Sequence, residues 1–141
     1  RIVRLFNVYG PRLEGRVVSY YIKNALENKP LEINGSGKQT RCFTYIDDVI
    51  RAFNLILNES NCKNEIFNVG SNHEISIENF AKKVISVLNS KSKLKRVSYE
   101  KQFGNSYEDI ERRVPDLFKI KKFINWDATT SLEEGISLMK K

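Results

Sequence analysis

The chain has 141 residues, 40% hydrophobic and 29% charged, the make-up of one ordinary globular domain. No apolar run approaches the eighteen or so residues of a membrane-spanning helix, and no repeat, linker or low-complexity stretch interrupts the sequence. The net charge of +7, from 24 Lys and Arg against 17 Asp and Glu, suits a polyanion-binding surface or a groove for a small anion and does not choose between them.

Arg1 to Val8 (RIVRLFNV) reads as a buried strand ended by Tyr9-Gly10-Pro11. Because the chain opens on Arg1 inside such a strand, it is expected to be part of a longer protein. Val17 to Glu27 has helical spacing at Val18, Tyr21, Ile22, Ala25 and Leu26, and Pro30 stops it. Leu31 to Ile33 predicts a short strand, Gly35-Ser36-Gly37 a turn, and Cys42 to Ile46 (CFTYI) a second buried strand. Asp47 is the expected N-cap of a helix over Asp48 to Asn58, with Val49, Ile50, Phe53, Ile56 and Leu57 inward.

Glu65 to Val69 predicts a third strand closed by Gly70. Ser76 starts a capping-box-like SIEN, followed by Phe80, Ala81, Val84, Ile85 and Leu88 on one helical face. Leu94 to Tyr99 reads as an edge strand, Glu100 to Arg113 as a long loop, and Leu117 to Phe123 and Ser131 to Met139 as two closing helices. Cys42 and Cys62 lack metal-ligand spacing and read as reduced, buried side chains; with no signal peptide at the start, a cytoplasmic protein is expected.

Three stretches stand at strand ends, where α/β proteins place ligand sites. They are FNVYGPR (Phe6 to Arg12), GSGKQTR (Gly35 to Arg41) and YEDIERRVPD (Tyr107 to Asp116). Singly, each has a structural explanation: a strand-end asparagine, a hairpin bend, surface arginines. In this order, together with GRVV, FTYIDDVI, IFNVGSN and SLEEGI, they resemble the extended short-chain dehydrogenase/reductases that act on nucleotide sugars. Those are the UDP-glucose 4-epimerases, UDP-glucuronate decarboxylases and dTDP-glucose 4,6-dehydratases, and the resemblance spans essentially residues 1–141.

The resemblance implies an α/β fold: the last strands of a Rossmann-like parallel sheet plus a small α/β substrate-binding subdomain, with the N-terminal cofactor-binding half absent. It implies NAD as cofactor of the whole enzyme, a homodimer formed through the cofactor half, and no catalytic residue here. The family's phosphate loop and Tyr-x-x-x-Lys pair lie upstream of the FNVYGPR strand. Carried over by motif position, Arg41 and Arg113 should grip a diphosphate from opposite walls, in the bidentate way that suits arginine. Asn7 should reach the phosphate or sugar, and Asp109 the ribose or Arg113. Val18, Ile33 and Asn34 should lie near the base, Asn72 near the sugar or ribose, and Leu5 against the nicotinamide. Ser36 replaces the family's Asp in the glycine turn, and Asn34 stands where many relatives have an aromatic residue. The implied ligand is a UDP-sugar first and a dTDP-sugar second. The implied activity is that of a UDP-glucose 4-epimerase-like enzyme, with a decarboxylase or dehydratase as alternative.

A reading of another class is a non-catalytic basic module that binds nucleic acid, with arginines and aromatics along one face. Phe6, Phe43, Tyr45, Phe53, Phe67 and Phe80 instead fall on apolar faces of predicted elements, which favours the enzyme reading and no nucleic acid.

Overall fold

Strand β1, Ile2–Leu5, pairs in parallel with β6, Ile66–Val69, from Ile2↔Ile66 to Leu5↔Val69. The computed structural model describes residues 1–98 and 109–140. Beside that pair, β2 (Val8–Tyr9) runs parallel to β5 (Thr44–Tyr45), and β3 (Leu31–Asn34) parallel to β8 (Leu94–Val97). Strand β4, Thr40–Cys42, lies between antiparallel β7, Glu74–Ser76, and parallel β9, Arg112–Arg113. The helices are α1 (Val17–Leu26), α2 (Ile46–Asn58), α3 (Ile77–Val87), α4 (Phe118–Ile124) and α5 (Leu132–Leu138), with a 3-10 turn at Ser60–Cys62.

Two buried clusters divide the chain. In one, Val49, Ala52 and Ile56 of α2 meet Phe67 and Val69 of β6 and the fully buried Trp126. In the other, Tyr21 of α1, Ile33 of β3, Phe80 and Val84 of α3 and Ile136 of α5 close around Phe43, whose ring centroid lies 4.4 Å from that of Phe80. This is the expected α/β arrangement, parallel strands with helices against them plus a smaller helix-covered unit. Ser76 caps α3 by accepting from the Asn79 amide, and Ser131 caps α5 by accepting from the Glu134 amide.

Asp48 fastens the C-terminal segment to α2. The residue is only 2% exposed; its carboxylate accepts from the Thr129 and Thr130 amides, the Thr129 hydroxyl and Arg51, while its carbonyl accepts from the Trp126 indole. Burial pushes this carboxyl up, but the Thr130 and Thr129 amides and Arg51 outweigh it and hold it below its ordinary range.

Several expectations need correction. The opening strand is not buried: Ile2 is 57% and Leu5 49% exposed, because among the described residues β1 has one strand partner and one covered face. CFTYI is not one strand but the end of β4, a break at Phe43, and β5 running into α2 at Ile46. Asp47 is not the N-cap; Tyr45 occupies that position without a side-chain cap bond. On α2 the buried stripe is Asp48, Val49, Ala52 and Ile56, whereas Ile50, Phe53 and Leu57 face outward. Arg112 and Arg113 form a strand rather than a loop. Tyr99 and residues 100–108 lie outside the described residues. Among those described, no helix is long and apolar enough to cross a membrane.

Candidate functional site

Strand pairing brings two of the three singled-out stretches together. In the parallel β4–β9 register Arg41 stands opposite Arg113 and Thr40 opposite Arg112. Side chains alternate across a sheet, so Arg41 and Arg113 share one face and Thr40 and Arg112 the other. On the second face Glu74 of β7 accepts from the Thr40 hydroxyl at 2.5 Å and from Arg112 Nε and Nη2 at 3.0 and 2.9 Å. The Thr40 hydrogen bond, then Arg112, hold the Glu74 carboxyl below its ordinary range. Arg112 is thereby committed to the fold. Arg113 is exposed and has no side-chain hydrogen bond or ion pair among the described residues.

Arg41 is mostly buried and anchored at three points. Its Nη1 donates to the carbonyls of Thr40 and Ile110, at 2.7 and 2.6 Å, and its Nη2 to Asp109 Oδ1 at 2.6 Å. The turn that precedes it depends on glycine: Gly35 and Gly37 have φ of 64° and 68°, the left-handed region. A Cβ on Gly37 would also press on the Ile33 side chain. Arg96 braces the turn through the Ser36 carbonyl and Glu78 Oε2. Between the turn and the strand leading to Arg113 lies a cavity of about 430 Å³, lined by Ser36, Lys38, Gln39, Asp109 and Glu111. That volume is in the range of small-ligand sites.

The other predicted residues are not all at this cavity. Asn34 precedes the turn; its carbonyl accepts from Gln39 Nε2, and its buried Oδ1 has no hydrogen-bond partner among the described residues. Val18 and Ile33 are core residues, 3% and 1% exposed, in the cluster that surrounds Phe43. Asn7 adopts φ of 41° and donates from Nδ2 to the Cys42 carbonyl at 2.8 Å, tying the end of β1 to the end of β4. Asn72 is exposed in the loop after β6, and Leu5 is half exposed at the end of β1. Asp109, expected at the ribose or Arg113, forms an ion pair with Arg41.

Sequence reasoning passed over Thr44 and Glu111. The Thr44 hydroxyl donates to the Phe6 carbonyl and accepts from the Ser71 amide, joining the strand ends behind Asn7 and Asn72. Glu111 lines the cavity, and its carbonyl accepts from the Thr40 amide. Neither has a local signature; both acquire their places through pairing across tens of residues.

Residues 1–70 match the model of the NAD dependent epimerase/dehydratase family. Over 139 residues the chain is 37% identical to a UDP-N-acetyl-alpha-D-glucosaminuronate decarboxylase of Bacillus cytotoxicus, covering 96% of this chain and 43% of that protein. It is 35% identical to UDP-glucuronic acid decarboxylase 1 of Xenopus tropicalis, covering 97% of this chain and 31% of that protein. Among solved structures, a UDP-glucuronic acid 4-epimerase from Bacillus cereus, in complex with UDP-glucuronic acid and NAD, superposes with a TM-score of 0.86 at 30% identity. It covers 99% of this chain and 43% of that one. The chain thus spans less than half the length of the relatives it matches, and over that span both sequence and fold agree with theirs. It belongs to the NAD dependent epimerase/dehydratase family.

Proposed function

We propose that residues 1–141 are the C-terminal, nucleotide-sugar-binding part of a longer NAD-dependent enzyme, and that its ligand is a UDP-linked uronic acid. The observation that carries the reading is the pairing of Arg41 with Arg113 on one face of the β4–β9 ladder, next to a nucleoside-sized cavity. Two arginines share one face of neighbouring strands: Arg113 has its guanidinium uncommitted among the described residues, and Arg41, fixed by the Thr40 and Ile110 carbonyls and Asp109, stands beside it, a pairing that suits two linked phosphates. Carboxylates at Asp109 and Glu111 suit ribose hydroxyls, and Asn34, just before the glycine turn, is the residue this reading assigns to the neighbourhood of the base. This reading assigns Asn7, at the end of β1, and Asn72, in the loop after β6, to the sugar end of the ligand. The three relatives described above share a uronic acid on UDP, which supports that sugar class over the neutral glucose of the 4-epimerase reading and puts a dTDP-sugar second.

NAD supplies the hydride acceptor when bound. This chain's contribution to it is small: Leu5, an apolar side chain left half exposed at the end of β1, fits against a nicotinamide. The Gly35-Ser36-Gly37 turn joins two strands rather than a strand to a helix, so it does not serve as a dinucleotide phosphate loop. Acid–base chemistry, and pairing into a homodimer, fall to the remainder of the protein. The two free, buried cysteines suit a cytoplasmic location.

The test is to incubate the full-length protein with NAD and UDP-glucuronate, UDP-N-acetylglucosaminuronate, UDP-glucose or dTDP-glucose. Release of carbon dioxide with a UDP-pentose product is expected. A C4 epimer without loss of carbon dioxide would favour the epimerase reading, which the Bacillus cereus structure supports. Turnover of none of the four would overturn the nucleotide-sugar reading.

A further inference from the structure

The turn that lines the cavity is soft by composition and is held from outside. Gly35 and Gly37, at φ of 64° and 68°, make its shape accessible, but glycine also leaves a free turn many alternatives. Its neighbours remove that freedom. The Gly35 amide donates to the Val97 carbonyl at 2.8 Å, carrying the β3–β8 ladder one residue into the turn. At the start of α3 the Glu78 amide donates to the Gly37 carbonyl and the Ile77 amide to the Gln39 carbonyl, both at 3.0 Å. Arg96 of β8 works between these ties. Its Nη1 donates to the Ser36 carbonyl and reaches that of Gly35 at 3.5 Å, while its Nη2 donates to Glu78 Oε2 at 2.6 Å. Arg96 thus joins the first half of the turn to the helix that holds the second half.

Arg96 is neither a core residue nor a lining residue of the cavity. Its side chain is 55% exposed and belongs to neither buried cluster. An ion pair that open to water adds little to global stability. A planar fork with acceptors on two separate segments nevertheless restricts how those segments sit. The Glu78 carboxylate is itself steadied by Lys82, one helical turn on, at 2.8 Å. The braced segment carries Ser36, Lys38 and Gln39, which line the cavity, and leads into β4 and Arg41. A binding loop ordered beforehand has less freedom to lose when the ligand arrives.

We propose that Arg96 is a positioning residue for nucleotide-sugar binding. Through the Ser36 carbonyl and Glu78 it holds the glycine turn in the shape that presents Ser36, Lys38 and Gln39 to the cavity. The inference rests on the reading of this cavity, with Arg41, as the nucleotide diphosphate site.

The experiment measures UDP affinity by calorimetry, and the thermal midpoint, on the full-length protein and its variants. Arg96→Ala should lower the population of the binding-competent turn and weaken UDP about three- to tenfold. Its midpoint should fall by less than about 2 °C, as suits an exposed pair. Arg96→Lys keeps a charged donor without the fork and should recover part of the affinity. Glutamine at position 78 keeps the backbone amide that holds Gly37 and loses the charge that holds Arg96. Because that charge acts on the turn through Arg96, adding Glu78→Gln to Arg96→Ala should weaken UDP no further. Wild-type UDP affinity in Arg96→Ala overturns the proposal, as does Arg96→Lys binding no tighter than Arg96→Ala, or a double variant whose losses add. Arg41→Ala separates this from the site reading. If that variant binds UDP like wild type, the site reading and the positioning role fall together. If it weakens UDP while Arg96→Ala does not, only the positioning role falls.

Discussion

Arg112 and Arg113 are adjacent and chemically identical, yet the pleat gives them different duties. Arg112 points to the face where Glu74 takes it up as a bidentate partner; Arg113 points to the face of Arg41 and stays uncommitted among the described residues. A charge-assisted contact of arginine with phosphate is worth roughly 1.5–3 kcal/mol, so Arg41→Ala and Arg113→Ala should each weaken UDP binding by about ten- to a hundredfold. Arg→Lys at either position should recover part of the loss, because an ammonium lacks the fork. Arg112→Ala and Lys93→Ala should leave UDP affinity near wild type. Calorimetry on the full-length protein measures all of these. The motif R-x-P-D pointed to Arg113 by resemblance alone; the pleat, which supplies the physical reason, was hidden because β9 is only two residues long and is specified by its neighbour β4. Asp109 shows the same limit. Its type and place marked it as a binding residue, but its partner, Arg41, lies 68 positions away.

At the scale of an element, α2 shows what periodicity contains and omits. Val49, Ile50, Phe53, Ile56 and Leu57 are apolar at helical intervals, but they form two stripes, and only the one through Val49, Ala52 and Ile56 meets the core. Its N-terminal acidic pair is similarly divided. Asp47 has the residue type of a cap, yet the consequential carboxylate is Asp48, whose partners at Thr129 and Thr130 are more than eighty residues on. Asp48→Ala should cost roughly 2–3 kcal/mol, because it leaves the Thr129 and Thr130 amides without their acceptor and takes the carboxylate from Arg51; urea unfolding measures it. The same group sets a pH dependence. Its folded-state pKa is depressed, so its contribution is complete above the unfolded carboxyl value of about 3.9 and disappears as pH falls through the lower folded value. Thermal melts from pH 6 down to pH 2.5 should show this acid-side loss, and Asp48→Asn should reduce it.

Over the whole molecule, the parallel strands were legible because RIVRLFNV and IFNVG are apolar with little alternation, the mark of strands covered on both faces. The structure covers only one. Val3, Phe67 and Val69 turn towards α2 and α4, while Ile2 and Ile66, paired with each other across the strands, are 57% and 40% exposed. Ile50, Phe53 and Leu57 of α2 add 50%, 37% and 64% exposure. Pattern and structure differ here, and the relatives that the chain matches are more than twice as long. An apolar sheet face and an unpaired strand edge associate with whatever is available. Residues 1–141 expressed alone should therefore form concentration-dependent oligomers. They should also convert no UDP-sugar in the presence of NAD, since no tyrosine in the sequence is followed four residues later by lysine. Sedimentation velocity across a hundredfold concentration range tests the association. Replacing Ile2 and Ile66 by threonine, which keeps β-branching and lowers apolar area, should shift the distribution towards monomer. A monomer at every concentration, with a cooperative melt, would show that this face is stable uncovered and that the pattern of the opening strand has another cause.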